Sequence, residues 1–277
     1  MNTRTESLKP ETALITGASS GIGAVYADRL ARRGHNLVLV ARDAARLEAL
    51  AARLRSETGV TVDVLPADLT SRADLARVEA RLRDDDSIGM LVNNAGVGGS
   101  GPNIDLDLER TQTLIDTNIT APTRLAGSVA GRFARRGRGT IINIASVLAL
   151  VPEMFSGAYS GSKAYLLNLT QSLQAELGPH GVYVQAVLPG ATRTEIWARG
   201  GVDVDSFPAE MVMGVDDLVD AALLGLDRRE AVTIPALPDA GQWEAFSAAR
   251  QAMGPNLSRR DLAPRYAQAS SAAAAKA

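Results

Sequence analysis

Short apolar runs alternate with longer amphipathic stretches along most of the chain, and this alternation restricts its fold more than any other feature. The apolar runs are rich in valine, isoleucine and leucine, which is typical of strands covered on both faces of a sheet. The stretches between them repeat apolar residues at helical spacing, as Ile22–Arg33 does. Alternating strands and helices predict a parallel sheet with right-handed crossovers. We expect strands at Thr12–Thr16, Asn36–Ala41, Thr61–Pro66, Ile88–Asn93, Thr140–Ala145, Val182–Leu188 and Ala231–Ile234.

This pattern predicts one α/β domain over residues 10–255, doubly wound, with about seven parallel strands and helices on both faces. Residues 191–214 interrupt the rhythm as a long loop, which is either a lid that lines a substrate site or a loop packed on the core. Residues 256–277 are polar and alanine-rich, so we expect a partly disordered tail without an assigned function. The large apolar residues of the loop are Trp197, Phe207, Met211 and Met213.

Composition and charge argue against several classes of protein. The 277 residues are 46% hydrophobic and 22% charged, with a net charge of −2, which argues against a nucleic-acid or anionic-membrane partner. The chain has no cysteine, so disulfides and thiolate chemistry are excluded. Its two histidines, His35 and His180, are too far apart to predict a metal site. The polar N-terminus and the lack of a ~20-residue apolar run predict no signal peptide, no membrane span and a cytoplasmic location.

A glycine-rich turn follows the first predicted strand and precedes the first predicted helix. Such a turn lets the backbone approach a pyrophosphate, whose charge faces the N–H groups at the helix N-terminus. A tight strand-to-helix turn with glycine at positive φ is the alternative. The residues expected to bind a dinucleotide here are Gly17, Ser19, Ser20, Gly21, Ile22 and Gly23.

Tyr159 and Lys163 are four residues apart in a segment whose leucines repeat at helical spacing. This spacing places both side chains on one face of a helix. With five tyrosines and three lysines in the chain, about 0.05 such pairs are expected by chance. An ammonium beside a phenol favours the phenolate, so we expect Lys163 to lower the pKa of Tyr159 toward the range useful for acid–base catalysis. The alternative is a surface pair without a role.

The spacing G-x-x-x-G-x-G, followed by Tyr-x-x-x-Lys, resembles the short-chain dehydrogenase/reductase family over roughly residues 12–200. The resemblance implies a Rossmann fold, a nicotinamide dinucleotide as cofactor and a catalytic set that includes Tyr159. By similarity, Ser146 hydrogen-bonds the substrate oxygen, Lys163 also binds the nicotinamide ribose, and Asn118 holds a water that links the lysine to solvent. A loop-capping serine is the alternative for Ser146.

Further positions match the family after the fourth and sixth predicted strands. The segment Asn93-Asn94-Ala95-Gly96 resembles the family element that stabilises the central sheet through Asn93 and passes the backbone beside the cofactor. The small residues there permit a close approach. Thr194 resembles the residue that binds the nicotinamide carboxamide. The cofactor contacts implied in these segments are Asn94, Gly96, Pro189, Gly190 and Thr194.

The end of the second strand bears on the choice of cofactor. An acid there binds the ribose 2′-hydroxyl of NAD, whereas an arginine accommodates a 2′-phosphate. Arg42 therefore predicts a preference for NADP(H), unless it pairs with Asp43 or Glu48 on the surface. Asp68 resembles the family's adenine-contacting aspartate, and it could equally cap a helix that begins near Ser71.

These residues predict an NADP(H)-dependent oxidoreductase that reversibly transfers hydride between the nicotinamide and a carbonyl or secondary alcohol. A non-catalytic NADP(H)-binding sensor or scaffold on the same fold is the alternative. Dehydratase or epimerase chemistry is disfavoured because the G-x-x-G-x-x-G spacing of those relatives is absent. The small-molecule substrate is expected to be mostly apolar, and the protein to be a homodimer or homotetramer. The expected substrate contacts are Ser146, Phe155, Tyr159 and Trp197.

Overall fold

The protein is seen in a computed structural model that describes residues 11–99, 103–154 and 157–266. The strands of these ranges form one parallel sheet in the order β3-β2-β1-β4-β5-β6-β7. Each expected strand is present, and its ends lie within one residue of the expected ones, so the predicted fold class is confirmed. The strands are β1 Thr12–Thr16, β2 Leu37–Ala41, β3 Val62–Pro66, β4 Ile88–Asn93, β5 Gly139–Ile144, β6 Val182–Val187 and β7 Val232–Thr233.

Helices connect successive strands and cover both faces of the sheet. A π-helical turn, Asp116–Thr120, joins the fourth helix to the fifth. The helices of the described ranges are α1 Gly21–Arg32, α2 Ala44–Thr58, α3 Arg72–Asp84, α4 Leu108–Ile115, α5 Ala121–Arg136, α6 Gly157–Leu177, α7 Ile196–Arg199, α8 Val215–Asp227 and α9 Ala240–Ala252. None of the helices in this part of the chain is both long and apolar enough to cross a bilayer.

Buried side chains form a separate hydrophobic core on each face of the sheet. Helices α1, α2 and α8 contribute to one core, and α3, α5 and α6 contribute to the other. In β1, Ala13 and Ile15 belong to the first core and Leu14 to the second, because successive side chains of a strand point to opposite faces. Burial on both faces explains why the strands show little polar alternation in the sequence.

The long loop after β6 contains α7 and two 3-10 turns, at Val204–Ser206 and Ala209–Met211. Its two ends are joined by the backbone: Met213 N donates to Ala191 O at 2.9 Å, and Arg193 N donates to Met213 O at 3.0 Å. The two ends of the loop are therefore held together at its base by backbone hydrogen bonds.

The described residues divide into two compact units, one up to Ala236 and one from Leu237 onward. The division falls earlier than the domain end expected at residue 255, so α9 belongs to the second unit. None of the residues of α9 is buried, so α9 adds no side chain to either core, although the sequence pattern placed it inside the expected domain. The domain limits 10–255 and the disordered tail over 256–277 stay predictions, and residues 267–277 lie outside the described ranges.

The end of β1 is fastened to the end of β4 by one hydroxyl. Buried Thr16 accepts hydrogen bonds at Oγ1 from the backbone N–H groups of Asn94 and Ala95, both at 3.0 Å, and donates to Val92 O at 3.3 Å. Because the two strands end side by side, this contact sets the position of the turns that follow them.

Thr16→Val keeps the shape of the side chain but leaves two backbone N–H groups without their acceptor. We expect the free energy of unfolding to fall by about 2–4 kcal/mol, since an unsatisfied buried group costs about 1–3 kcal/mol. Urea unfolding measures the loss. The matched control is Thr61→Val at an exposed threonine before β3, which should change stability by no more than about 0.5 kcal/mol. Equal effects of the two substitutions would contradict the assigned role.

Candidate active site

The predicted site residues gather at the carboxyl edge of the sheet, beside the point where the strand order reverses between β1 and β4. In doubly wound sheets this is where ligands bind. Each loop leaving β1, β4, β5 and β6 carries part of the predicted set. The residues concerned are Gly17, Ser19–Gly23, Asn94, Gly96, Ser146, Pro189, Gly190 and Thr194.

The glycine turn between β1 and α1 is shaped by close backbone contacts. Gly17 has φ +66° and Gly21 has φ +53°, a region that favours glycine. A Cβ at Gly23 would lie 2.4 Å from Gly17 O, and one at Gly17 would lie 2.8 Å from Asn94 Nδ2. The predicted tight turn is therefore present.

The turn also has the features of an anion site. It opens onto the N-terminus of α1, where Ser20 is the N-cap residue and its side chain makes no capping hydrogen bond. Ser19, Ser20, Gly21 and Ile22 are partly exposed. Partly exposed backbone N–H groups at a helix N-terminus fit a pyrophosphate, which they can bind without a side chain in between.

Asn94 holds this turn from the side of β4. Its Nδ2 donates to Thr16 O at 2.8 Å and to Gly17 O at 3.3 Å. Gly96 lies next to the catalytic candidates, since a Cβ there would be 3.4 Å from Asn118 Oδ1 and 3.5 Å from Lys163 Nζ. Asn94 thus acts on the cofactor site by positioning the turn, and Gly96 leaves the space beside the lysine open.

Asn93 belongs to a buried polar network, as its structural role in the sequence analysis requires. Its Nδ2 donates to Asn143 Oδ1 at 2.9 Å, and Asn143 Nδ2 donates to Thr170 Oγ1 at 2.9 Å. The network joins β4, β5 and α6, and α6 carries the predicted tyrosine and lysine. Asn93 Oδ1 has no hydrogen-bond partner among the described residues, but the two side-chain bonds favour one arrangement of the elements that they connect.

Arg42 is exposed at the end of β2 and makes no hydrogen bond or ion pair with any residue of the described ranges. Asp43 instead caps α2, accepting from Arg46 N at 3.0 Å, and Glu48 lies 3.7 Å from Arg55. The two carboxylates that could have explained Arg42 as a surface pair are therefore engaged elsewhere.

Asp68 faces Arg42 and does not cap α3. The N-cap of that helix is Ser71, which accepts from Asp74 N, so the capping interpretation of Asp68 is wrong. Asp68 Oδ1 accepts instead from Thr70 N at 3.0 Å and from Thr70 Oγ1 at 2.8 Å. Burial alone would raise the pKa of Asp68, but the Thr70 hydrogen bonds and the Arg42 charge hold it below its usual value.

Tyr159, Ser146 and Lys163 lie together between β5 and α6. The phenol of Tyr159 is hydrogen-bonded to the Ser146 side chain. Lys163 is 5% exposed, its Nζ donates to Ile144 O at 2.9 Å, and it lies 5.7 Å from the centroid of the Tyr159 ring. Ser146 Oγ also accepts from Leu148 N at 3.2 Å, so the loop-capping role and the contact with the tyrosine are both present.

The pKa values of this pair differ from the expectation. Burial raises the pKa of Tyr159 to about 12, and the hydrogen bond with Ser146 opposes the rise only in part. Burial also lowers the pKa of Lys163 to about 8. The expected lowering of the phenol pKa by the ammonium is therefore wrong for this structure, because removal from water disfavours the charged form of each group.

Asn118 lies in the π-helical turn and is 1% exposed. Its Nδ2 donates to Val97 O at 3.0 Å and to Ser162 Oγ at 3.1 Å, and its Oδ1 accepts from Val97 N at 2.9 Å. These bonds join the strand-end loop after β4 to α6, beside the lysine. They give a tertiary reason for an asparagine in a helical segment, while the predicted water relay stays a prediction.

The segment after β6 covers the glycine turn. Pro189 O accepts from Val147 N at 2.9 Å and from Ser146 Oγ at 3.4 Å. A Cβ at Gly21 would lie 3.2 Å from Thr194 Cγ2, so Thr194 sits directly over the turn. This position agrees with a threonine that contacts a cofactor bound across the two loops.

Two clefts open along the long loop. Trp197 lines one of about 390 Å³ together with Thr194 and Val202. Its Nε1 donates to Thr192 O at 2.7 Å, and its ring centroid lies 5.0 Å from that of Phe207. Met211, Met213 and Gly190 line the other, of about 300 Å³. Phe155, expected at the substrate, lies outside the described residues.

Three charged residues that the sequence analysis missed connect the long loop to α2 and to the start of α1. Arg46 Nη1 donates to Glu195 Oε2 at 2.9 Å, and Arg199 Nη2 donates to the same atom at 2.6 Å. Arg199 Nη2 also donates to Ser20 Oγ at 3.3 Å. The spacing of Glu195 and Arg199 is that of a helical ion pair, but no pattern in the sequence connects either residue to Arg46 or Ser20.

Comparison with known proteins decides the family of the chain. The family model described as short chain dehydrogenase matches residues 11–203, most of the first compact unit. The chain belongs to the short-chain dehydrogenase family. It is therefore an oxidoreductase of that family, and the fold, the glycine turn and the Tyr159–Lys163 spacing agree with this assignment.

Solved and curated members of the family resemble this short-chain dehydrogenase over nearly its whole length. A short-chain dehydrogenase from Sphingobium yanoikuyae, solved in complex with NADPH, is 57% identical with a TM-score of 0.90, and the match covers 92% of this chain and 99% of that one. A bulky-bulky ketone specific alcohol dehydrogenase from Comamonas testosteroni is 52% identical with a TM-score of 0.86, covering 94% and 99%. Very-long-chain 3-oxoacyl-CoA reductase of Podospora anserina is 36% identical over 239 residues, 83% of this chain and 67% of that protein.

Replacing Lys163 by Met should remove a pH-dependent part of the dehydrogenase's stability. The pKa of Lys163 is about 8 in the folded protein and 10.5 at its ordinary value. Between these two values the unfolded chain binds more protons, so the free energy of unfolding of the wild type rises with pH. The wild type should therefore gain about 2 kcal/mol over Lys163→Met between pH 7 and pH 9.5. Urea unfolding at both pH values measures the difference, and an unchanged difference would contradict the lowered pKa.

Proposed function

We propose that this short-chain dehydrogenase is an NADP(H)-dependent enzyme that transfers hydride reversibly between the nicotinamide and a carbonyl or secondary alcohol. The observation that carries the proposal is the contact of the Tyr159 phenol with Ser146, one helical turn from Lys163, at the sheet edge that holds the glycine turn. A proton donor, a second hydrogen-bonding group and a cation are thus gathered beside a dinucleotide-shaped turn.

The residues at the sheet edge fit a dinucleotide that carries a 2′-phosphate. Gly17, Gly21 and Gly23 permit the tight turn that leads into the N-terminus of α1, and Arg42 makes no hydrogen bond to any residue of the described ranges. A guanidinium pairs with phosphate through charge-assisted, often bidentate bonds. The NADPH complex of the 57% identical relative supports the same cofactor. Bound NADPH supplies the hydride, and the protein supplies alignment and electrostatics.

Each polar group of the site has a defined part in the reaction. At neutral pH Tyr159 holds its proton, because burial keeps its pKa high, and it gives this proton to the substrate oxygen during reduction. Ser146 donates a hydrogen bond to the same oxygen. Lys163 is charged below a pKa of about 8, and its expected part is to bind the nicotinamide ribose. Asn118 holds the loop beside the lysine and supports proton return.

The apolar residues of the loop support a ketone with apolar groups as the substrate. Trp197 and Phe207 form one apolar wall, and Met211 and Met213 form another. Methionine and aromatic side chains accept varied apolar shapes. The Comamonas testosteroni relative is named for bulky-bulky ketones, which supports the same substrate class here.

No contact in the site favours the alternative of a non-catalytic sensor. A sensor needs the glycine turn and Arg42 to bind the nucleotide. It does not need the contact of the Tyr159 phenol with Ser146 or the buried Lys163 beside it. The cytoplasmic location and the homodimer or homotetramer stay predictions.

Tyr159→Phe removes the proton that the reaction needs and keeps the ring. We expect turnover in NADPH oxidation with a bulky ketone to fall on the order of 10²–10⁴-fold, while the Kd for NADPH changes less than twofold. The absorbance of NADPH, followed during the reaction, measures turnover. Fluorescence titration measures the Kd for NADPH.

The matched control is Tyr165→Phe on the same helix, where the hydroxyl contacts Thr123 at 3.0 Å, away from Ser146. It should keep normal turnover. If Tyr159→Phe kept near-normal turnover too, Tyr159 would not be the general acid.

Arg42→Ala should weaken NADPH selectively. Loss of a charge-assisted bond to the 2′-phosphate costs about 1.5–3 kcal/mol, so the KM for NADPH should rise about 10- to 150-fold while the KM for NADH stays the same. The control Arg83→Ala removes an exposed arginine that pairs with Asp84 at the end of α3, and it should change neither constant. An unchanged KM for NADPH in Arg42→Ala would refute the assignment of the 2′-phosphate.

A further inference from the structure

The loop that lines the substrate clefts places a cation at the start of α1. Arg199, on the short helix α7 of this loop, donates from Nη2 to Ser20 Oγ at 3.3 Å. Ser20 is the N-cap residue of α1, and its side chain makes no hydrogen bond to its own helix. The guanidinium therefore stands at the mouth of the glycine turn, and it comes from a segment 179 residues further along the chain.

The glycine turn has no cation of its own. The sequence from Thr16 to Asp28 contains neither lysine nor arginine, so the turn offers a pyrophosphate backbone N–H groups, the Ser19 and Ser20 hydroxyls and the partial charge of the helix end. That partial charge is about half an elementary charge. A dinucleotide pyrophosphate carries about two negative charges near neutral pH, and a guanidinium within reach can pair with it bidentately.

The present partner of Arg199 is one that it can exchange. Arg199 donates to Glu195 Oε2 at 2.6 Å, but the side chains are 56% and 48% exposed, and ion pairs at such exposure contribute little. Glu195 has a second cation, Arg46 of α2, at 2.9 Å. Glu195 would therefore stay paired if Arg199 turned to a phosphate, and the exchange leaves no carboxylate unpartnered.

We propose that Arg199 is a cofactor-binding residue: it pairs with the pyrophosphate held at the glycine turn and so fastens the substrate loop to the bound cofactor. This inference rests on the proposed function, since it takes the dinucleotide as given. Because the base of the loop is fixed by the Ala191–Met213 hydrogen bond, the contact orders the part between, which carries Trp197. Cofactor binding would then hold Trp197 and the cleft that it lines in place.

The test compares three nucleotides by fluorescence titration or calorimetry on the full chain: NADPH, 2′-phospho-ADP-ribose and 2′-AMP. 2′-Phospho-ADP-ribose keeps the pyrophosphate but lacks the nicotinamide that Thr194 is expected to contact. 2′-AMP lacks both the pyrophosphate and the nicotinamide. In Arg199→Ala the Kd should rise at least 10-fold for the first two and less than twofold for 2′-AMP. Arg199→Lys should recover part of the loss, and the control Arg193→Ala, whose side chain pairs with Asp205 inside the loop at 2.7 Å, should lose nothing.

The variant Glu195→Gln distinguishes two roles of Arg199, phosphate binding and a purely structural ion pair with Glu195. If the pair only holds the loop, breaking it from either side should weaken NADPH to the same degree. If Arg199 binds the pyrophosphate, Glu195→Gln should leave the Kd for NADPH unchanged or lower it, because a competing carboxylate is removed. Equal weakening by both substitutions would overturn the proposal.

A measurement on the wild type covers the case in which a variant fails to fold. Trypsin cleaves after arginine, and Arg193 and Arg199 are both exposed in the loop. Saturating 2′-phospho-ADP-ribose should slow cleavage there at least fivefold, whereas saturating 2′-AMP should not slow it. Equal rates with both nucleotides would refute the contact. Failure of the wild type to bind NADPH at all would instead refute the proposed function.

Discussion

The Thr16 hydroxyl, which joins the end of β1 to the end of β4, is the contact on which the site depends. It accepts from the two N–H groups that begin the loop after β4, and Asn94 returns the contact by donating to Thr16 O and Gly17 O. The glycine turn is thus positioned by the neighbouring strand end and not by its own sequence alone. Asn93, one residue earlier, is connected through hydrogen bonds with Asn143 and Thr170 to α6. The end of β4 therefore also contacts the helix that carries Tyr159 and Lys163.

Burial gives the acid–base pair its character. Both groups lie where their charged forms are disfavoured, so the phenol keeps its proton and the ammonium gives up its own more readily than usual. The Lys163–Ile144 hydrogen bond fixes the ammonium in this setting. A phenol that stays protonated at neutral pH has a proton available for a carbonyl oxygen.

Much of this could be read from the sequence, and the exceptions have physical reasons. The strands were predictable because burial on both faces leaves unbroken apolar runs, and the tyrosine–lysine pair because its helical spacing is local. The pKa of Tyr159 was predicted in the wrong direction, since burial is a tertiary property. The interpretation of Asp68 as the cap of α3 was wrong because Ser71 takes that role, whereas Asp68 accepts from Thr70. The Arg46–Glu195–Arg199–Ser20 contacts escaped prediction because they join segments far apart in the chain.

The hydrogen bonds at the base of the long loop have a consequence for how such enzymes diversify. Ala191 and Arg193 are hydrogen-bonded to Met213 through backbone atoms alone. The side chains of the loop between Arg193 and Met213 can therefore be exchanged without disturbing the sheet or α8. Insertions, deletions or grafts from relatives in this loop could alter which small molecules are accepted while the strands and Tyr159 stay in place. Selectivity could then change in the loop separately from the sheet.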